Sequence, residues 1–147
     1  MDGEDAPKPV VIITGCSTGG IGHALACAFA EKKCKVVATS RSRSSMAELE
    51  HDHRFLLEEL DVQSDESVSR VVDAVVQTYG RIDVLVNNAG IQCVGPLAEV
   101  PLSSIQNTFD TNVFGKYCND TLLIYLFLLI CKIPSIWDFS VIGYLIP

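Results

Sequence analysis

At 147 residues, of which 48% are hydrophobic and 20% charged, the chain is long enough for one compact core. The net charge of −7 and the lack of a basic stripe argue against nucleic acid and anionic lipid surfaces as partners. The six cysteines form no Cys-x-x-Cys pair and no ligand spacing with His23, His51 or His53, so reduced thiols, no metal site and no special role for the histidines are expected.

The first residues, Met1, Asp2, Gly3, Glu4 and Asp5, are acidic and lack an apolar signal core, which points to a cytoplasmic protein with a flexible start over 1–7. Residues 10–13 are Val-Val-Ile-Ile, an unbroken apolar run expected as a buried strand. Gly15, Gly20 and Gly22 follow it and open a helix. Separated glycines allow a tight turn in which backbone N–H groups and the helix N-terminus approach a pyrophosphate. A tight strand-to-helix connection alone is the plainer alternative. In the helix, Ile21, Ala24, Leu25, Ala28 and Phe29 fall on one face, expected to pack on a sheet.

A second strand is expected over 35–39 and a mixed third over 55–60. Ser64 reads as an N-cap before the helical stripe Val68, Val71, Val72, Val75, Val76 and Tyr79, and Gly80 as its C-terminal stop. A fourth strand covers Val84–Val86, with Asn87, Asn88, Ala89 and Gly90 just beyond it. Further on, Leu102, Ile105, Phe109 and Val113 make an apolar helical stripe on the helix that carries Asn112.

Strand and helix alternate, which implies an α/β fold with parallel pairing and right-handed crossovers. The expected architecture is the amino-terminal half of a Rossmann-type doubly wound sheet, strand order 3-2-1-4, spanning 8–115. Ligands of such sheets sit beyond the carboxyl ends of the strands, where the glycine loop, Arg41, Asp61 and Asn87 to Gly90 would gather. About twenty positions past the glycines, an acidic residue suits a bare ribose and a basic one a 2′-phosphate. Ser40-Arg41-Ser42-Arg43 stands there, without a carboxylate, so NADP(H) is favoured, with Arg41 the better placed guanidinium and Ser17 a weaker hydroxyl contact.

The motifs Thr14-Gly15…Gly20-Ile21-Gly22, Leu60-Asp61-Val62, Asn87-Asn88-Ala89-Gly90 and Thr111-Asn112-Val113-Phe114-Gly115 together resemble the short-chain dehydrogenase/reductase family, and within it the 1-acyldihydroxyacetone-phosphate reductases. Four residues separate Gly15 from Gly20, one more than the family's usual spacing, read as a loop insertion with Gly19 supplying backbone freedom. The resemblance implies hydride transfer between NADP(H) and a small carbonyl or alcohol substrate, with homo-oligomers as partners. It places Asp61 on the adenine amino group with Val62 alongside the ring, and Asn87, Asn88, Ala89 and Gly90 on the adenosine. Asn112 matches the family's water-anchoring asparagine in the proton relay. A loop cap at Asp61, turn chemistry at Asn87 and Asn88, and a surface position for Asn112 are the structural alternatives. The resemblance also raises endoplasmic reticulum or lipid-droplet surfaces as locations.

The family's proton donor is a tyrosine tuned by a lysine four residues on, because a free phenol titrates near pH ~10. The four tyrosines fail this pattern: Asp83 follows Tyr79, Thr121 follows Tyr117, Leu129 follows Tyr125, and Tyr144 lies too near the end. Ser140 stands near the count of the family's serine, in a sequence unlike the family's strand. From about Lys116 the composition changes, with roughly two thirds of residues 118–147 apolar. A non-family tail over 116–147, a carboxy-terminal truncation and a chain that binds cofactor without turnover are therefore expected, or else a non-enzymatic product that binds nucleotide or a partner subunit. The apolar run 122–130 is shorter than the roughly 20 residues that span a bilayer, leaving weak membrane association as the lesser expectation. Residues 136–142 are a candidate substitute for a fifth strand.

Overall fold

The computed structural model describes residues 7–96 and 98–116. The readings of 1–6, the apolar run 122–130, the substitute strand 136–142 and Ser140 lie outside them. The elements are β1 (Val10–Thr14), α1 (Ile21–Glu31), β2 (Lys35–Ser40), a 3-10 segment (Arg43–Leu49), β3 (Phe55–Glu59), α2 (Asp65–Tyr79), β4 (Val84–Val86), and α3 (Leu102–Phe109), which continues into a π turn (Asp110–Phe114). The sheet is parallel throughout, in the order β3-β2-β1-β4.

β1 is central, with Ile12 opposite both Val37 and Leu85 and Ile13 opposite both Ala38 and Val86. Successive side chains of a strand point to opposite faces, so an unbroken apolar run needs cover on both. Val11 and Ile13 pack with Ala26 and Ala30 of α1 and with Met46 and Leu49 of the 3-10 segment. Val10 and Ile12 pack with Val68, Val71, Val72 and Val75 of α2. The β1–β4 register is pinned at its start by Asp83, which accepts from Val10 N at 2.8 Å and donates its own N–H to Val10 O at 2.9 Å. Arg81 pairs with the same carboxylate.

α2 follows its sequence signals. The Ser64 hydroxyl accepts from Ser67 N, and Gly80 takes the left-handed conformation at φ 72°. α1 follows its stripe in part, since Leu25 and Phe29 pack against the core as expected, and α3 departs from its own. On α1 the buried residues are Gly22, Ala26 and Ala30, while Ile21, Ala24 and Ala28 are exposed. Close approach decides which positions are fully buried: the small residues at four-residue spacing let the helix lie against β1 and the loop before it, with Leu25 and Phe29 packing at the side. On α3 no residue is buried; Leu102 and Phe109 are 79% and 53% exposed, and Val113 on the π turn beyond is 45% exposed. The contact is made instead by Thr111 and Gly115. A Cβ on Gly115 would stand 2.9 Å from Val62 Cγ2, and Gln63 Nε2 donates to Thr111 Oγ1 at 2.6 Å and to Asn107 Oδ1 at 3.0 Å. Polar and small residues thus set the rotation of this helix, and the apolar stripe faces away from the sheet. Among the described residues no helix is long and apolar enough to cross a membrane.

Candidate functional site

The chain reverses its direction of growth across the sheet at β1, since β2 and β3 lie on one side and β4 on the other. In open α/β sheets the point where the strand order reverses is where a crevice forms at the strands' carboxyl ends.

Thr14 closes β1 and is 1% exposed. Its Oγ1 accepts from Asn88 N at 3.0 Å and Ala89 N at 2.9 Å, and donates to Val86 O at 3.4 Å. The Asn88 carboxamide donates to Thr14 O at 2.8 Å and Gly15 O at 3.1 Å. Asn88 therefore serves turn chemistry between the ends of β1 and β4, with Asn87 beside it at the end of β4.

The glycines are required by space and by conformation. Gly15 has φ 77°, and a Cβ there would meet Ala89 Cα at 2.8 Å. A Cβ on Gly22 would overlap Gly15 O and stand 2.5 Å from Asn88 Nδ2. Gly19 also has φ 77° but open space around it, so conformation alone selects glycine there. Gly20 caps α1 without a side-chain hydrogen bond, leaving the first N–H groups of the helix for an anion. Ile21 stands at this mouth, 59% exposed. Cys16 is fully buried between Gly15 and Ser17, and burial pushes its thiol from 9.0 to about 11, so it is protonated and inert at neutral pH.

The two arginines after β2 are not equivalent. Arg43 is consumed: Nε donates to Glu50 Oε1 at 3.0 Å, and a terminal nitrogen to Leu57 O at 3.1 Å. Arg41 is exposed, and among the described residues nothing hydrogen-bonds or ion-pairs with its guanidinium. The residue before it, Ser40, places its Oγ 3.1 Å from the Ser17 hydroxyl, which also lies 3.3 Å from Ser45 Oγ.

At the end of β3, Asp61 is exposed and its Oδ1 accepts from Gln63 N at 3.0 Å, a loop cap. Val62 is 6% exposed and packs in the α2-side core beneath Gly115. Asn112, on the π turn, grips the chain after Gly90 with both ends of its amide: Oδ1 accepts from Ile91 N and Nδ2 donates to Ile91 O, each at 2.9 Å. Such a turn is a frequent companion of functional sites. Beyond Gly90 a cavity of about 510 Å³ lies between residues 91–96 and α3, lined by Gln92, Cys93, Val94, Glu99 and Ser104 among others.

Four residues of this region carry roles that sequence reasoning did not assign: Thr14, His23, Ser45 and Gln63. His23 Nδ1 accepts from Gly19 N at 3.2 Å and lies 3.9 Å from Glu48, so a histidine expected to do nothing steadies the glycine loop. The position of Thr14 before the first glycine was a usable signal; Ser45 and Gln63 gave none. Among the described residues no group of His, Cys, Asp or Glu could hold a metal ion.

Residues 9–124 match the family described as short chain dehydrogenase, so the likeness continues past Gly115 into the segment read as foreign. Retinol dehydrogenase 8 of Bos taurus is 42% identical over 120 residues, 76% of this chain and 37% of that protein. An NADPH-dependent 1-acyldihydroxyacetone phosphate reductase of Schizosaccharomyces pombe is 38% identical over 106 residues, 71% of this chain and 36% of that protein. In structure, a 3-ketoacyl-(acyl-carrier-protein) reductase of Brucella melitensis, complexed with NADH, superposes with TM-score 0.74 at 28% identity, over 82% of this chain and 50% of that one. The chain thus spans less than two fifths of the length of these two curated relatives.

Proposed function

Because the chain belongs to the short-chain dehydrogenase family, we propose that it binds NADP(H) in the crevice beyond β1, β2 and β4 and is built for oxidoreduction of a small carbonyl or alcohol substrate. An acyl-dihydroxyacetone phosphate is one candidate, supported by the yeast relative. The observation that carries the cofactor choice is the contrast between the arginines: Glu50 holds Arg43, and Arg41 is left to a further anion. A planar guanidinium grips a phosphate monoester bidentately. The glycine loop fits a pyrophosphate, because Gly15 and Gly22 bring backbone close where side chains would block it and α1 begins uncapped.

When bound, the nicotinamide supplies or accepts the hydride. At the cofactor's adenosine end the chain's own residues hold and orient: Arg41 and Ser17 the 2′-phosphate, Asp61 the adenine edge beside Val62, and Asn87 to Gly90 the adenosine side, while Asn112 fixes the backbone at Ile91. Titrating NADPH and NADH against the chain and against Arg41→Asp tests the reading. NADPH is expected to bind on the order of 10- to 100-fold more tightly, from charge-assisted hydrogen bonds to phosphate, and the substitution to remove or invert that preference. Equal affinities in the unaltered chain overturn the Arg41 assignment.

Binding and turnover separate here. No tyrosine of the sequence is followed four residues on by lysine, so no phenol is tuned by this motif toward neutral pH. These 147 residues by themselves are expected to bind cofactor and to consume no NADPH above background with an acyl-dihydroxyacetone phosphate or another ketone. Turnover that survives purification and disappears with Asn112→Ala would show that the chain assembles a proton relay by another route.

A further inference from the structure

Three serine hydroxyls meet where the glycine loop touches the turn after β2. Ser40 is buried at 8% exposure, Ser45 is half-buried, and Ser17 is the exposed member. Ser45 Oγ is within donor distance of Ser42 O at 2.7 Å and Ser40 Oγ at 2.8 Å, and Ser17 Oγ donates to Ser45 Oγ at 3.3 Å. Ser45 is also stapled to the loop through its backbone, since Thr18 N donates to Ser45 O at 2.8 Å.

A hydroxyl has one proton and two lone pairs. The Ser45 proton is engaged by two short contacts on its inner side, so toward Ser17 it acts as an acceptor. Ser17 is thereby kept a donor, and its bond to Ser45 is the longest of the cluster. The two shorter bonds are the ones a ligand would leave in place; the long one is readily exchanged for a bond to a charged oxygen, which is stronger than one to a neutral hydroxyl. We infer that Ser45 is a positioning residue for cofactor selection, holding the Ser17 hydroxyl proton beside Arg41, where the 2′-phosphate monoester of an adenosine takes it over.

The inference rests on the NADP(H) reading and deepens it. Ser17 Oγ already lies 3.1 Å from Ser40 Oγ; without the Ser45 hydroxyl, Ser40 is the acceptor left to the Ser17 proton, which turns inward, and the phosphate loses one aligned donor while the rest of the nucleotide loses nothing.

The experiment titrates NADPH and NADH against the full chain, Ser45→Ala, Ser45→Thr, Ser17→Ala, the Ser17→Ala/Ser45→Ala pair and Arg41→Ala, with a thermal melt of each. Ser45→Ala is expected to lower the NADPH-to-NADH affinity ratio about ten-fold, the lower end of the scale of one hydrogen bond to a charged group, with the NADH affinity within about two-fold of the unaltered chain. Ser45→Thr, which keeps the hydroxyl, restores the ratio, and the double substitution lowers it no further than Ser17→Ala does. An unchanged ratio in Ser45→Ala, or equal losses for both cofactors, overturns the inference while a ratio lowered by Arg41→Ala leaves the NADP(H) reading standing. If Ser45→Ala does not fold, a reduced ratio in Ser45→Thr overturns it equally. Equal binding of the two cofactors by the unaltered chain, or binding of neither, removes the reading and the inference with it.

Discussion

Gly22→Ala is expected to abolish nucleotide binding and to destabilise the fold by about 2–4 kcal/mol, as overpacking against backbone does where nothing nearby is a flexible chain end. The added methyl would overlap Gly15 O and come within 2.5 Å of Asn88 Nδ2. Both neighbours are fixed. Gly15 is in the left-handed region at φ 77°, and its carbonyl accepts the Asn88 amide at 3.1 Å. Relief therefore requires α1 to move off β1, which opens the contact of Ala26 and Ala30 with the core and displaces the N–H groups at the start of the helix. Urea denaturation followed by circular dichroism, with NADPH titration in parallel, checks both effects. A variant within about 0.5 kcal/mol of the unaltered chain that still binds NADPH would show that the loop has slack the geometry does not contain. Gly19→Ala meets no neighbour but has to adopt φ 77°, so a smaller cost, about 1 kcal/mol, is expected there.

Thr14→Val is expected to cost about 2–5 kcal/mol although it preserves shape. The substitution removes one oxygen that accepts two backbone N–H groups, those of Asn88 and Ala89. Thr14 is 1% exposed, so water does not replace that oxygen, and each part-buried donor left unpaired costs about 1–3 kcal/mol. Thr14→Ser keeps the acceptor and loses a methyl group, for about 1 kcal/mol. The difference between the two variants in chemical denaturation isolates the hydrogen bonds from the packing. Equal stabilities for Val and Ser at this position would mean that the ends of β1 and β4 are held by something other than Thr14.

The parts of the fold that were legible in sequence are those governed by local rules. An unbroken Val-Val-Ile-Ile run requires cover on both faces of a strand, and β1 has it. Ser64 and Gly80 mark the ends of α2 because capping is a transaction among neighbours in the chain. Gly19, whose backbone freedom was expected from comparison with the family's glycine spacing, is left-handed at φ 77°. Helix rotation was not legible. The apolar stripes of α1 and α3 are genuine periodicities, and Leu25 and Phe29 do pack against the core, yet Ile21, Leu102 and Phe109 face outward. The faces that pack hold Gly22, Ala26 and Ala30 on α1, and Thr111 and Gly115 on the turn after α3. Hydrophobic periodicity counts apolar area, whereas these contacts are selected by how closely two backbones approach.

In the candidate site, the residue types and their order along the chain were readable: glycines after the first strand, a basic pair after the second, Asp61 after the third and two asparagines after the fourth. Which arginine is free was only weakly readable, because it depends on Glu50 and the Leu57 carbonyl, which reach Arg43 across the fold. Thr14, Ser45, His23 and Gln63 take their roles from partners brought together by the sheet and its crossovers. By itself the sequence determined the parallel α/β class, the strand order and the family, since alternation, capping and motif spacing are properties of the chain as a line. The tertiary structure alone decided which faces pack, which hydroxyl protons are committed and which charge is left unpaired. Those depend on distances of about 3 Å between residues far apart in sequence, which no local pattern encodes.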